Sequence, residues 1–407
     1  MSPSQTPVTL RPFAERATSL APSATLAMTA RVKDLQAQGI EILDLTAGEP
    51  DFSPPKCVED AAIKAIHEGR GRYTAAAGMM ELRKAVAAQV ERELGMAYEP
   101  QQIVITNGAK IGIAQALMVM VESGDNVLVP TPCWTSYPEM VKLAEGEPRI
   151  VECDSSLLPR VEDLEAARDE RTAALMLNSP CNPTGMVFPE QLLREIGEWA
   201  VEKGVRIISD EIYSTLTYGG AKHYSPLQLV PELQNTSVWI GGMSKAYAMT
   251  GWRMGFLAGP LDLAKSIAKV QSQLAGSPNA ISMYASLAAI ENADAEREQM
   301  RQAFEGRCKI VVDALSEMPG VDCPNPSGAF YAFAGVRSFL GKACPDTGRV
   351  VQSGDDLVEL LLEADQVATI GGSAFGAPEA FRISFATSEE VLRESMKRIA
   401  ARLVKLG

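Results

Sequence analysis

Apolar residues change their spacing several times along the chain, and each change marks an element. Short runs that are apolar on both faces occur at 103–106 (IVIT), 126–130 (NVLVP), 173–180 (AALMLNSP), 206–210 (RIISD), 237–242 (SVWIGG) and 254–259 (MGFLAG). Most are separated by 10–15-residue stretches with helical spacing, such as EQLLREIGEWAVEKG at 190–204 and LAKSIAKVQSQL at 263–274. A strand with no polar face has to be covered on both sides, so this alternation predicts a mostly parallel sheet flanked by helices. Residues 48–295 therefore read as one α/β unit.

Beyond it the pattern changes. Residues 281–317 are strongly helical, with no Gly or Pro before Gly306. Strand-like pieces follow at 328–334 (GAFYAFA), 367–372 (VATIGG) and 381–386 (FRISFA), alternating with helical patterns at 354–365 and 388–405. Residues 296–407 are expected to form a smaller α+β unit, joined by part of an N-terminal arm, 1–47. There is no repeat, low-complexity tract or block of like charge.

Composition narrows the function classes. The chain has 407 residues, 46% hydrophobic and 22% charged, which excludes disordered and fibrous classes. With 38 Lys+Arg against 51 Asp+Glu, the net charge of −13 argues against a general affinity for nucleic acid. The apolar stretch at 113–121 is far short of the roughly 18 residues that a membrane helix needs. Arg11 and Arg16 precede SLAPSATLAM, but Pro22, Ser23 and Thr25 interrupt it, so an ordinary arm is expected rather than an export signal. The two histidines, His67 and His223, supply little for a serine hydrolase or a histidine metal site, and no metal is expected. Seven scattered cysteines without a C-x-x-C fit reduced thiols in a cytoplasmic protein.

Three segments could carry chemistry. In VWIGGMSKAYAMTGWRMG, 238–255, Lys245 follows a buried strand and a Gly-Gly pair, with Arg253 eight residues on. A desolvated lysine becomes a competent amine nucleophile, whereas a lysine in an open loop is merely solvated. In RIISDEIYSTL, 206–216, Asp210 ends an apolar strand, where α/β sheets present ligands and where a carboxylate also caps a turn. In LNSPCNPTG, 177–185, Asn178 and Asn182 suit either a site or a plain turn.

In this order, with 28 residues from Asn182 to Asp210 and 35 from Asp210 to Lys245, the segments resemble pyridoxal-phosphate aminotransferases of fold type I. The similarity runs over almost the whole chain, from PSATLAMTARVKDLQAQG to RISFATSEE. It implies a large domain with a seven-stranded, mostly parallel sheet, a smaller α+β domain and a homodimer. By this resemblance Lys245 forms the Schiff base with pyridoxal 5'-phosphate and afterwards moves the substrate proton. Asp210 pairs with the pyridine nitrogen, Tyr213 and Asn182 hydrogen-bond the ring oxygen, and Trp134 stacks on the ring. TNGAK, 106–110, is a small-residue turn opening a helix, so Gly108 and Ala109 read as a phosphate cradle completed by Arg253. Tyr73 resembles a tyrosine that reaches the phosphate of the neighbouring subunit.

Arg382 matches the arginine that grips the substrate α-carboxylate, with Gly48 in the loop that closes over it. Lys110 stands where one bacterial subgroup places a lysine for the second carboxylate, so aspartate or glutamate is the expected donor. Alanine, aromatic amino acids and prephenate remain alternatives, as does a lyase on the same scaffold. The chain departs from the family in three places. Gly242 replaces a frequent phosphate-binding serine, leaving Ser244 as the candidate substitute; no histidine supports Asp210; and Tyr137 stands three residues after Trp134.

Overall fold

The computed structural model describes residues 11–406. A two-residue strand, β1 (Leu43–Asp44), comes first. The main sheet is built from β2 (Ile103–Thr106), β3 (Asn126–Thr131), β4 (Glu147–Glu152), β5 (Thr172–Asn178), β6 (Arg206–Asp210), β7 (Val238–Gly242) and β8 (Gly255–Ala258). Its order is β2-β8-β7-β6-β5-β3-β4. All neighbours are parallel except β8, which runs antiparallel to both β2 and β7. Apolar side chains pack on both of its faces, as the uninterrupted runs require.

β4 is the strand that the apolar runs do not reveal. It lies at the sheet edge, where Glu147, Ile150 and Glu152 are exposed and only Val151 is buried. Charges on an edge strand discourage pairing with another chain, but they also break the apolar signal. The helical region at 281–317 divides into two helices, Ala280–Asn292 and Asp294–Ser316, with Ala293 outside helical geometry between them. Asp294 and Glu296 open the second helix, where its dipole favours negative charge.

The C-terminal strands are β9 (Tyr331–Gly335), β10 (Val367–Ala368), β11 (Ile370–Gly371) and β12 (Ala380–Ser384). β11, β12 and β9 form an antiparallel sheet, while β10 pairs in parallel with β1. The helix Ala24–Ala37 reaches the same region: Arg31 bonds Glu359 at 2.7 Å, and Val32 and Ile42 pack with Leu362 and Ala368. The first ten residues of the expected arm lie outside the described residues.

A further core joins Phe304, Phe330, Phe381 and Phe385 to Tyr213 and Leu216, which follow β6. This packing sets the C-terminal strands over the carboxyl ends of β5, β6 and β7, where open α/β sheets bind ligands. Among the described residues no helix is long and apolar enough to cross a membrane.

Candidate active site

Asn178 and Asp210 are paired at the ends of β5 and β6. The Asn178 amide donates to the Asp210 carbonyl at 2.8 Å, and its oxygen accepts from the Asn182 backbone N–H at 2.8 Å. One side chain therefore locks the loop that carries Asn182 to the strand that carries Asp210. The Asp210 carboxyl is buried and accepts from the Tyr137 hydroxyl at 2.7 Å and the Ile212 N–H at 3.3 Å. Burial pushes its pKa up to about 6, against the pull of those two donors. The Tyr137 ring meets Trp134 edge-on at 5.4 Å.

Lys245 sits in the short helix Met243–Ala246 just after β7. Burial lowers its pKa to about 8; Arg253 and Arg382 add to that, while Glu49 and Asp210 oppose it. Its amine donates to the Gly48 carbonyl and lies 5.7 Å from the centre of the Phe330 ring.

The helix Ala109–Met120 starts after Gly108, whose φ is +88°. A β-carbon at Gly108 would sit 2.5 Å from Arg253 Nη2, and one at Gly255 would sit 2.3 Å from the Ala109 nitrogen. The two glycines let the Arg253 guanidinium and β8 press against a helix start, whose N–H groups point outward. Cation and helix dipole together suit an anion such as phosphate. Lys110, one residue on, holds its amine 4.9 Å from the centre of the Trp134 ring, with its pKa lowered by burial and by Arg253.

Arg382, on β12, is 1% exposed. It donates to the Asn182 side-chain oxygen at 3.0 Å and to the Thr46 carbonyl at 2.8 Å, and packs 4.4 Å from the centre of the Tyr331 ring. Its Nε is buried without a hydrogen-bond partner, and burial lowers its pKa. A buried guanidinium held only by neutral groups is costly, and an arriving carboxylate offsets that cost.

These contacts form a chain around one cleft. Lys245 leads through Gly48 to Tyr331 and Tyr213; Arg382 leads through Asn182 and Asn178 to Asp210; Tyr137, Trp134 and Lys110 continue to Arg253 and Gly108. Two sequence candidates stand differently. Ser244 is buried and has no side-chain hydrogen bond among the described residues. Tyr73 is 98% exposed and makes no contact with the cleft of its own chain.

Tyr137 has no role assigned from the sequence; its hydroxyl donates to Asp210 across 73 residues of chain. His223, left without a role, donates to or accepts from Glu211 at 2.7 Å, and Glu211 also takes Trp239 Nε1 at 2.8 Å and the Ser209 hydroxyl at 2.7 Å. This buried cluster lies directly behind Asp210. The Thr46 carbonyl and Tyr331 were also missed, because neither has a local sequence signal.

The chain matches known proteins over nearly its full length. A family model described as aminotransferase class I and II covers residues 40–399. An aspartate aminotransferase from Geobacillus stearothermophilus is 44% identical over 390 residues, 95% of this chain and 98% of that one. A probable aspartate/prephenate aminotransferase from Aquifex aeolicus is 39% identical, covering 97% of this chain and 99% of that one. Among solved structures, the aspartate aminotransferase from Rhizobium meliloti superposes with a TM-score of 0.93 at 40% identity, covering 98% of this chain and 100% of the other. The Thermus thermophilus aspartate aminotransferase with maleate gives 0.89 at 37% identity, covering 96% and 100%.

Proposed function

Because the chain belongs to the aminotransferase class I and II family, we propose that it binds pyridoxal 5'-phosphate and moves the amino group of aspartate or glutamate to 2-oxoglutarate or oxaloacetate in a ping-pong cycle. The observation that carries this reading is the meeting in one cleft of a buried lysine of lowered pKa, a buried acid and a buried arginine with no carboxylate partner among the described residues. The donor set fits the cofactor: the Gly108–Ala109 helix start with Arg253 suits its phosphate, Trp134 its ring, Asp210 its ring nitrogen and Lys245 its aldehyde. When bound, the cofactor supplies an electron-withdrawing ring and an aldehyde to receive the amino group.

The protein's side chains do the rest in this reading. Arg382 forks onto the substrate α-carboxylate, with Asn182 holding the guanidinium plane and the Gly48 loop closing above it. Lys245 Nζ, neutral in part near neutral pH, takes the proton from the substrate α-carbon and delivers it to the carbon that was the cofactor's aldehyde. The ionised Asp210 keeps the ring nitrogen protonated, with the Tyr137 hydroxyl fixing the carboxylate. Tyr213 and Asn182 orient the ring oxygen, Lys110 receives the second carboxylate of an acidic substrate, and Ser244 lines the phosphate end. Tyr73, fully exposed in its own chain, serves the phosphate of a second copy in a cytoplasmic homodimer.

The relatives named for aspartate support the donor assignment, and those named aspartate/prephenate support prephenate as a further acceptor. The experiment is an absorbance spectrum of the loaded protein before and after single amino acids without keto acid. Aspartate converting the aldehyde band to the amine band is the expected result. Conversion by alanine or an aromatic donor alone would refute the acidic preference, and a protein left colourless by added cofactor would refute the whole reading.

A further inference from the structure

We propose that Tyr331 is a positioning residue that couples the carboxylate grip of Arg382 to the hydroxyl of Tyr213; the proposal rests on the reading of the cleft given above. Tyr331 is fully buried on β9, and its hydroxyl lies 3.1 Å from that of Tyr213. The two rings meet edge-on at 5.9 Å. The Arg382 guanidinium lies 4.4 Å from the centre of the Tyr331 ring. The register explains this contact: Arg382 on β12 faces Phe333 on β9, so Tyr331, two residues away, is its diagonal neighbour on the same face. At the other end of the ring, a β-carbon on Gly48 would come within 3.8 Å of the Tyr331 hydroxyl. One phenol thus touches the carboxylate-binding residue and the residue assigned to the cofactor oxygen, and its hydroxyl faces the loop that carries Gly48.

Hydrogen-bond arithmetic gives this contact a direction. A phenol has one hydrogen to donate. If Tyr213 spends its own on the cofactor ring oxygen, the bond between the two tyrosines needs the Tyr331 hydrogen, so Tyr331 donates. A cation on the face of the Tyr331 ring withdraws electron density and strengthens that donation. A carboxylate that pairs with Arg382 neutralises part of the cation and weakens it. Occupancy of the carboxylate site is then felt at Tyr213 through a single intervening ring. The charged groups facing the pair are Arg382, which acts on both tyrosines, and Asp210, which acts on Tyr213. Of these, only Arg382 lies against the Tyr331 ring.

The test is a pH titration of the cofactor absorbance in wild type, Y331F, Y213F and the double variant, each with and without succinate, a dicarboxylate that has no amino group. Y331F keeps the ring and removes the hydroxyl. It is expected to move the wild-type midpoint by about half a pH unit or more, the scale of one hydrogen bond to a partly charged group, and to reduce the further shift caused by succinate. In the Y213F background Y331F is expected to move nothing. Succinate affinity should stay within about twofold in Y331F and fall about fivefold in Y331L, which removes the face beneath Arg382. A midpoint moved by Y213F but not by Y331F, or moved equally by Y331F in both backgrounds, overturns the coupling alone. A midpoint that Y213F itself leaves in place removes the role assigned to Tyr213 and the coupling with it.

Discussion

The Tyr137 hydroxyl donates a 2.7 Å hydrogen bond to Oδ2 of Asp210, joining the helix Ser136–Leu143 to the carboxyl end of β6. Its partner is a buried acid whose pKa burial has already pushed up to about 6. Tyr137→Phe removes a donor that favours the ionised form, so the pKa rises further. Activity near pH 7 should fall about tenfold, the scale of one lost hydrogen bond to a charged group. The acid limb of the pH–rate profile should move to higher pH. An unmoved limb would mean that Tyr137 only fills space.

Asp210 should also cost the cofactor-free protein stability. Its folded pKa, about 6, lies above the unfolded value near 3.8, so the folded state binds more protons between those pH values. Stability from this group is intact below about pH 4 and is lost as pH rises through 6. Asp210→Asn should therefore raise the melting temperature of the cofactor-free protein at pH 8, by the equivalent of up to about 3 kcal/mol, and change it little at pH 4. The same variant should lose the extra stability that cofactor binding gives the wild type.

Lys245, with its pKa lowered to about 8 by burial, is mostly protonated at pH 6.5. The neutral amine attacks aldehydes, so cofactor uptake by the empty protein should quicken about tenfold per pH unit below 8 and level off above it. Stopped-flow absorbance between pH 6 and 10 reads this directly. Levelling near pH 10 would reveal an ordinary solvated lysine. Lys245→Ala should lower turnover by at least about 10³-fold.

Arg382 presents a planar fork with one unused Nε and no carboxylate partner among the described residues. Arg382→Lys keeps the charge but loses the fork and the bond to Asn182. The catalytic efficiency for every amino donor should drop about a hundredfold, mostly through KM. Equal efficiency in the variant would place the α-carboxylate elsewhere.

In the proposed reading, donor preference turns on Lys110. Lys110→Ala should reduce efficiency for aspartate and glutamate about tenfold, the scale of a partly exposed charge pair, and leave alanine nearly unchanged. Equal losses for aspartate and alanine would assign Lys110 to the cofactor or to Trp134 instead.

Segments with strong local signals were legible without a structure. The buried strands β3, β5, β6 and β7 lie where the uninterrupted apolar runs were, because a strand covered on both faces shows no polar alternation. Asn182, Asp210 and Lys245 stand at turns and strand ends, where residue type and chain direction are locally coupled, while their roles and that of Arg253 came from the family resemblance of their segments. β4 escaped, since an edge strand carries charges for reasons unrelated to its pairing.

By itself, then, the sequence determined the α/β pattern and the absence of a long apolar span, and through its resemblance to a family it singled out Lys245, Asp210 and Arg382 as candidates for amine, acid and carboxylate grip. Only the tertiary structure decided what surrounds them. Tyr137 meets Asp210 across 73 residues of chain, Tyr331 meets Tyr213 across 118, and Arg382 meets the Thr46 carbonyl across 336. Local patterning reflects which face of an element is buried, but not which distant element buries it. Burial and neighbouring charge set the pKa values of Asp210 and Lys245, and the neighbours come from distant segments: Tyr137 for Asp210, and Glu49 and Arg382 for Lys245.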